Sequence, residues 1–330
     1  MLVALGLIWG ITWPVMKIAL NEIPPLTMRA SAAVFGAVTY CLMCVVMRRS
    51  LRVPAPRIWV HILIGSLLNI VAFSVFGAFA QLAAATSRVA ILAYTMPIWA
   101  MLLAWPFLGE WPDRVQTMAL SLCIAGLAIL IYPLTTHGIP IGIVFALAVG
   151  VCWAGGTVYL KWAHIEADQM GVGSWQMTFA AVILVACMLI FDRGPRFGGA
   201  HLDGVLATAW TGIAGNGIAY ALWFTIIRRL PAATASLGVL ASPVIGVIGS
   251  FLILGEVPTA TDMIGFALIF AASACVLLTR QSDVEPPRMQ RERSDCDQGI
   301  RCRQRFKVRL SSPNRRRALP WCSADRIADR

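Results

Sequence analysis

Residues 97–112 read PIWAMLLAWPFLGEWP, and residues 243–258 read PVIGVIGSFLILGEVP. Each stretch opens on proline, continues through an apolar run and closes on Gly-Glu-x-Pro. Proline and glycine are 12 positions apart in both, and the two copies lie 146 residues apart. A skeleton this particular, used twice, marks a repeated structural unit. It also places a helix-breaking residue twice inside an apolar span, which needs a physical reason.

Composition identifies the surroundings of those spans. Of 330 residues 58% are hydrophobic and 13% charged, and the mean hydropathy is +0.75. Soluble domains carry about 25% charged residues, so most of this surface does not face water. The net charge of +11 is unevenly spread. Residues 1–280 hold 14 Lys and Arg against 9 Asp and Glu, whereas residues 281–330 hold 13 against 7. The last 50 residues therefore form a separate basic segment. Their charge is not a nucleic-acid surface on the rest of the chain, and no nucleic-acid partner is expected.

A helix needs roughly 20 mostly apolar residues to cross the hydrocarbon of a bilayer. Ten runs qualify, at about 2–20, 26–47, 58–81, 88–108, 115–133, 140–160, 171–191, 204–225, 234–254 and 260–279. The opening MLVALGLIWGITWPVMK has no basic lead and no cleavage site, so it reads as the first span rather than a signal peptide. With a cytoplasmic N-terminus the inner connections hold nine Lys or Arg and the outer ones three. The positive-inside rule thus places both ends of the spanning region in the cytoplasm.

The repeated skeleton falls in spans four and nine. An odd separation reverses the direction of crossing, so the second half, 139–280, runs upside down relative to the first, 1–134. Trp9 and Lys17 are echoed by Trp153 and Lys161, and Asn69 by Asn216. Inverted repeats of this kind build secondary transporters, with binding near the midplane at the repeat interface. Pro97 is expected to crowd the carbonyl of Ala93, and Pro243 that of Val239. Thr95 and Ser242 stand beside them to satisfy those carbonyls, and a harmless kink is the alternative. Gly109 and Gly255 suit left-handed helix ends with proline beyond. Glu110 and Glu256 then read either as structural anchors at the span ends or as proton-coupling acids.

Together these features resemble the EamA-type drug/metabolite transporter superfamily. The resemblance rests on two five-span halves, Trp-Gly near the start of span one, PPLTMRASAAVFG opening span two, and the duplicated proline–glycine–glutamate skeleton. It covers about residues 2–280. It implies an all-α polytopic protein of ten transmembrane helices in a prokaryotic inner membrane, exporting or importing amino acids and related solutes. Two features depart from that pattern: the first helix starts without a basic lead, and residues 281–330 have no counterpart. The latter, rich in Arg and Ser, are expected to be disordered. They read either as a contact for anionic lipid headgroups or as read-through sequence.

Candidates for the solute pathway are polar and aromatic side chains within spans. They are Trp9, Gly10 and Trp13 in span one, Asn69 with Phe73 and Phe76 in span three, and Tyr94, Pro97 and Trp99 in span four. Span eight adds Asn216, Tyr220 and Trp223, and span nine adds Pro243. Stripes of this kind also arise from simple packing. Arg29 and Lys17 read either as cations that snorkel to headgroups or, for Arg29, as a cavity residue that attracts a carboxylate or phosphate. Cys41-x-x-Cys44 lies in mid-span without a second pair and reads as packing.

An enzyme is not expected. No H-E-x-x-H, G-x-S-x-G or paired intramembrane aspartates occur. His164 and Asp168 are expected to be solvated in a loop. No metal or cofactor is implied. The leading reading is a small-solute exporter, with a membrane scaffold or regulatory protein and a membrane-embedded enzyme as rivals.

Overall fold

Prolines begin several of the helices. Pro25, Pro56 and Pro97 each stand in a first turn, where the missing amide hydrogen has no intrahelical partner to lose. The computed structural model describes residues 1–111, 114–132, 140–229 and 232–279; the segment 281–330 lies outside them. Among the described residues all regular structure is helical. The first half comprises α1 (Leu2–Glu22), α2 (Pro25–Val46), α3 (Pro56–Ser66), α4 (Phe73–Ala83), α5 (Thr86–Ala93), α6 (Met96–Leu108) and α7 (Arg114–Ile131). The second comprises α8 (Ile141–Trp162), α9 (Gln169–Cys187), α10 (Leu202–Trp210), α11 (Ala219–Arg229), α12 (Ala232–Leu254) and α13 (Ala260–Thr279).

Among the described residues seven helical stretches are long and apolar enough to cross a membrane, Pro56–Ala83 and Thr86–Leu108 included. Shorter apolar helices follow at Ser242–Leu254 and Ala260–Ala272. Their outer faces are apolar: Val46 is 80% exposed, Leu252 72% and Phe191 71%. Apolar surface on this scale marks contact with lipid or another protein rather than water.

Short π-helical segments interrupt three stretches. Leu67–Ala72 joins α3 to α4, Met188–Asp192 follows α9, and Thr211–Ile218 joins α10 to α11. The first holds Asn69 and the third Asn216, 147 residues apart. Such segments loosen the i→i−4 ladder and recur at functional sites. No periodicity in the sequence announces them.

The matched prolines behave differently. The helix around the first breaks at Tyr94 and Thr95, so Pro97 opens α6 rather than interrupting a continuous helix. Thr95 Oγ1 donates to the carbonyl of Leu92 at 2.6 Å and accepts from Trp99 Nε1 at 3.0 Å. The expectation that Thr95 would relieve Ala93 is corrected by one residue, because the turn brings the Leu92 carbonyl to the hydroxyl. Pro243, by contrast, lies inside α12, which runs on through it.

Core packing sets the helix neighbours. α1 lies along α12, α2 along α9 and the Thr211–Ile218 segment, α8 along α4 and α6, and α7 along α13. Gly10 sits where α1 meets α12: a Cβ there would fall 2.6 Å from Ile245 Cβ and 2.8 Å from the Ser242 carbonyl. Its absent side chain admits α12 rather than bringing Trp9 and Trp13 together.

Three polar ties hold the helix ends. Thr259 and Asp262 form a capping box at the start of α13, and Asp262 also takes two hydrogen bonds from Arg88, at 2.7 and 3.0 Å. Thr27 gives its amide and hydroxyl to Asp192 at 2.9 and 2.8 Å. Arg49 pairs with Asp168 at 2.7 Å.

Candidate solute pathway

A cavity of about 80 Å³ lies among α1, α2, α4, α8 and the segments near Tyr94 and Asn216. Several waters or part of a small solute fit that space. Of the expected pathway residues, Trp9, Trp13, Arg29, Phe73, Tyr94, Asn216 and Tyr220 line it. The others do not. Gly10 faces α12, Trp99 is bonded to Thr95, and Asn69 presses its carboxamide on Gly156 of α8. Trp223 stands behind Trp9, ring centroids 6.0 Å apart. Pro243 is buried away from the lining, and the side chain of Pro97 lies outside the described residues.

The walls are aromatic and interlocked. Trp9 meets Tyr220 edge-on at 5.8 Å, and Trp153 meets Phe73 at 5.2 Å. Trp153 also lies 5.8 Å from Tyr220, and Trp13 lies 6.2 Å from Phe73. Aromatic pairs at these separations contribute roughly 0.5–1.5 kcal/mol beyond the area they bury. Trp9 Nε1 donates to the Gly215 carbonyl at 3.2 Å, within the Thr211–Ile218 segment. That bond fixes the indole against a stretch whose backbone ladder is loosened.

Several lining residues were not anticipated as pathway residues: Thr12, Met16, Ser74, Trp153 and Thr211. A signal existed for some of them. Trp9, Thr12, Trp13 and Met16 fall at i, i+3, i+4 and i+7, one face of a helix. Trp153 stands in the register of Trp9. Ser74 carried no signal beyond its place beside Phe73.

Arg29 does not snorkel. It is 4% exposed, with its guanidinium on the cavity wall. One terminal nitrogen donates to Ser74 Oγ at 2.6 Å, and the other lies 2.8 Å from Met16 Sδ. Its Nε has no partner. Arg29 starts only five residues into α2, but its side chain finds depth between α1 and α4 that pattern reading does not provide. Lys17 also departs from the headgroup expectation: its ammonium donates to the Gln81 carbonyl near the end of α4, where a cation suits the helix dipole.

The two glutamates of the repeated skeleton each reach another helix. Glu256 accepts the amides of Thr86 and Ser87 at 2.7 and 2.9 Å, capping α5 from another helix end. Glu110 pairs with Lys161 at the exposed edge. Asp168 is not a solvated loop residue. It caps α9 by accepting from Met170 N at 3.0 Å while holding Arg49. Burial alone raises its pKa, but the Arg49 hydrogen bond and the amides of Met170 and Gly171 outweigh that and hold it below the ordinary value.

The EamA-like transporter family matches residues 1–132 and 140–278, and the chain belongs to that family. It is a membrane transporter with multiple apolar helices. The uncharacterized transporter YoaV of Bacillus subtilis is 24% identical over 272 residues, 81% of this chain and 92% of its own. The uncharacterized inner membrane transporter YedA of Escherichia coli is 25% identical over 278 residues, 84% of this chain and 89% of its own. A crystal structure of another protein has the same fold, with a TM-score of 0.60 at 21% identity, covering 86% of this chain and 98% of that one.

Proposed function

We propose that this protein is an inner-membrane secondary transporter that exports small metabolites, such as amino acids or related organic solutes, by alternating access. The chain crosses the bilayer ten times as two inverted five-helix repeats, 1–134 and 139–280, with both ends of that region in the cytoplasm. The observation that carries this reading is a crossed pairing of rings. Trp9 of the first half packs on Tyr220 of the second, and Trp153 of the second packs on Phe73 of the first. Trp9 and Trp153 are 144 residues apart, Phe73 and Tyr220 147. One pair is thus the counterpart of the other across the halves, which suits a cavity at a repeat interface.

Further support comes from the helix ends, where Gly109 and Gly255 share a left-handed conformation, and from Asn69 and Asn216 in matched π-helical segments. The last helices of the two halves, α7 and α13, also meet at small residues. Gly126 and Gly265 approach each other reciprocally, each backbone carbonyl lying 3.0 to 3.2 Å from where the other's Cβ would stand.

The experiment is flux in proteoliposomes, with cargo chosen by a growth screen against toxic amino-acid analogues. Trp153→Ala is expected to reduce flux at least tenfold while the protein still folds. Unchanged flux would remove the cavity from the pathway. Reporter fusions on opposite sides of the membrane at the two ends of 1–280 would overturn the inverted arrangement. Deletion of residues 281–330 is expected to leave flux intact. Loss of all function on deletion would favour the scaffold reading.

A further inference from the structure

Arg29 presents a charge with no countercharge. Its guanidinium stays protonated at any physiological pH, and it is 4% exposed. The two hydrogen-bonding neighbours are a hydroxyl and a thioether, and Nε has none. No Asp or Glu lines the cavity, and no ion pair among the described residues includes Arg29. An isolated buried charge is costly unless something pairs with it. Two other partly buried arginines have carboxylates: Arg88 has Asp262 and Arg49 has Asp168, while Lys17, nearer a helix end, has the Gln81 carbonyl. The position 147 residues on from Arg29 is Gln176, so the charge is not required by the repeated architecture.

We propose that the missing countercharge is the cargo: a monocarboxylate with an apolar body, its carboxylate on Arg29 and its body against the rings of Trp9, Trp13 and Trp153. This rests on the cavity being the transport site, and it narrows the proposed cargo from amino acids to related acids that lack the ammonium. A single guanidinium among mostly apolar walls matches one negative charge. A phosphate dianion would leave a second charge unpaired, and a zwitterion would bring an ammonium to a site without an acid. Guanidinium and carboxylate also suit each other by shape, since the planar fork donates two parallel hydrogen bonds.

The same charge supplies a driving force. The loaded cavity is neutral and the empty one carries +1, so each export cycle moves one net negative charge outward. A membrane potential negative inside favours that direction, by about 50-fold in concentration per 100 mV. Export then needs no proton-carrying acid.

The test uses the full chain in lipid nanodiscs, titrated with phenylacetate and hexanoate and, in parallel, with their neutral amides and with phenylalanine. The acids are expected to bind about 30-fold or more tightly than the amides, and Arg29→Gln to abolish that difference. Arg29→Lys is expected to keep part of it. The thermal unfolding temperature of Arg29→Gln should not fall, because an unpaired buried charge is being removed. A marked fall would assign Arg29 a structural role and overturn the proposal. Amides that match the acids, or phenylalanine that exceeds phenylacetate, overturn the monocarboxylate and leave the cavity intact as a transport site. If none of the five binds and Trp153→Ala also leaves flux unchanged, both readings fall. In proteoliposomes at pH 8, with protein-free vesicles as the leak control, an inside-negative potassium diffusion potential should speed efflux of the tighter acid. Efflux indifferent to potential would overturn the driving force.

Discussion

Gly109 and Gly255 end their helices in the same way, 146 residues apart. Their φ angles are 70° and 69°, and the following glutamate amides reach back to the carbonyls of Ala104 and Ser250 at 3.3 Å in both cases. This is the six-residue closure of a Schellman turn, which needs a left-handed residue. Nothing lies within 4 Å of where a Cβ would stand at either glycine, so a substitution is strained by conformation alone. Gly109→Ala and Gly255→Ala should each destabilise by about 1–2 kcal/mol. Thermal unfolding in one detergent would read the two losses, which should agree with each other. A loss at only one site would mean that the turns differ in solution.

Glu256 gives the sharper test of anchor against proton carrier. Its carboxylate accepts two amides at the start of α5, where backbone donors have no intrahelical partner. Glu256→Gln keeps one acceptor oxygen and removes the charge. The expected outcome is a stability loss of about 1 kcal/mol, with flux per folded molecule and its pH profile unchanged. A flattened pH profile at full stability would make the residue a coupling acid instead.

Much of the fold was legible because lipid imposes a simple pattern. The apolar runs and the glycine ends follow from span length and the needs of one left-handed residue. Much of the cavity lining was legible where it coincided with a helical stripe, as at Trp9 and Trp13. Arg29 was ambiguous because the energy of a buried guanidinium depends on the helices around it, and α4 contributes Ser74 from 45 residues away. The break at Tyr94 and Thr95 and the π-helical segments at Asn69 and Asn216 were hidden for a related reason. Both change the hydrogen-bond ladder without changing the apolar content that marks a span.

The Arg49 and Asp168 pair makes a prediction in pH. Hydrogen bonds from Arg49 and the start of α9 hold the Asp168 carboxyl below its ordinary value. Its contribution to stability is therefore fully present above the unfolded pKa, near 3.9, and is lost as pH falls through the lower folded value. Between pH 5 and 7 Asp168→Asn should lower stability by a constant amount. Below about pH 4 the gap between variant and parent should close. Unfolding followed across that range checks the sign. A gap that widens on acidification would mean that the carboxyl is held protonated in the folded protein.

Gly10 separates packing from passage. The sequence places it between two tryptophans, but the structure turns it toward α12, where an added methyl meets Ile245 and the Ser242 carbonyl. Helices within a bilayer gain from such close approach because lipid offers little hydrophobic drive to hold them together. Gly10→Ala should therefore cost about 1–3 kcal/mol through overpacking, seen as a lower unfolding temperature. Cargo affinity in the protein that remains folded should be unaffected. Ile245→Gly in the same chain removes two of the three close contacts and should recover part of the loss, more than the sum of the single changes allows. Purely additive effects would show that Gly10 and Ile245 do not meet, and that α1 and α12 lie further apart than described.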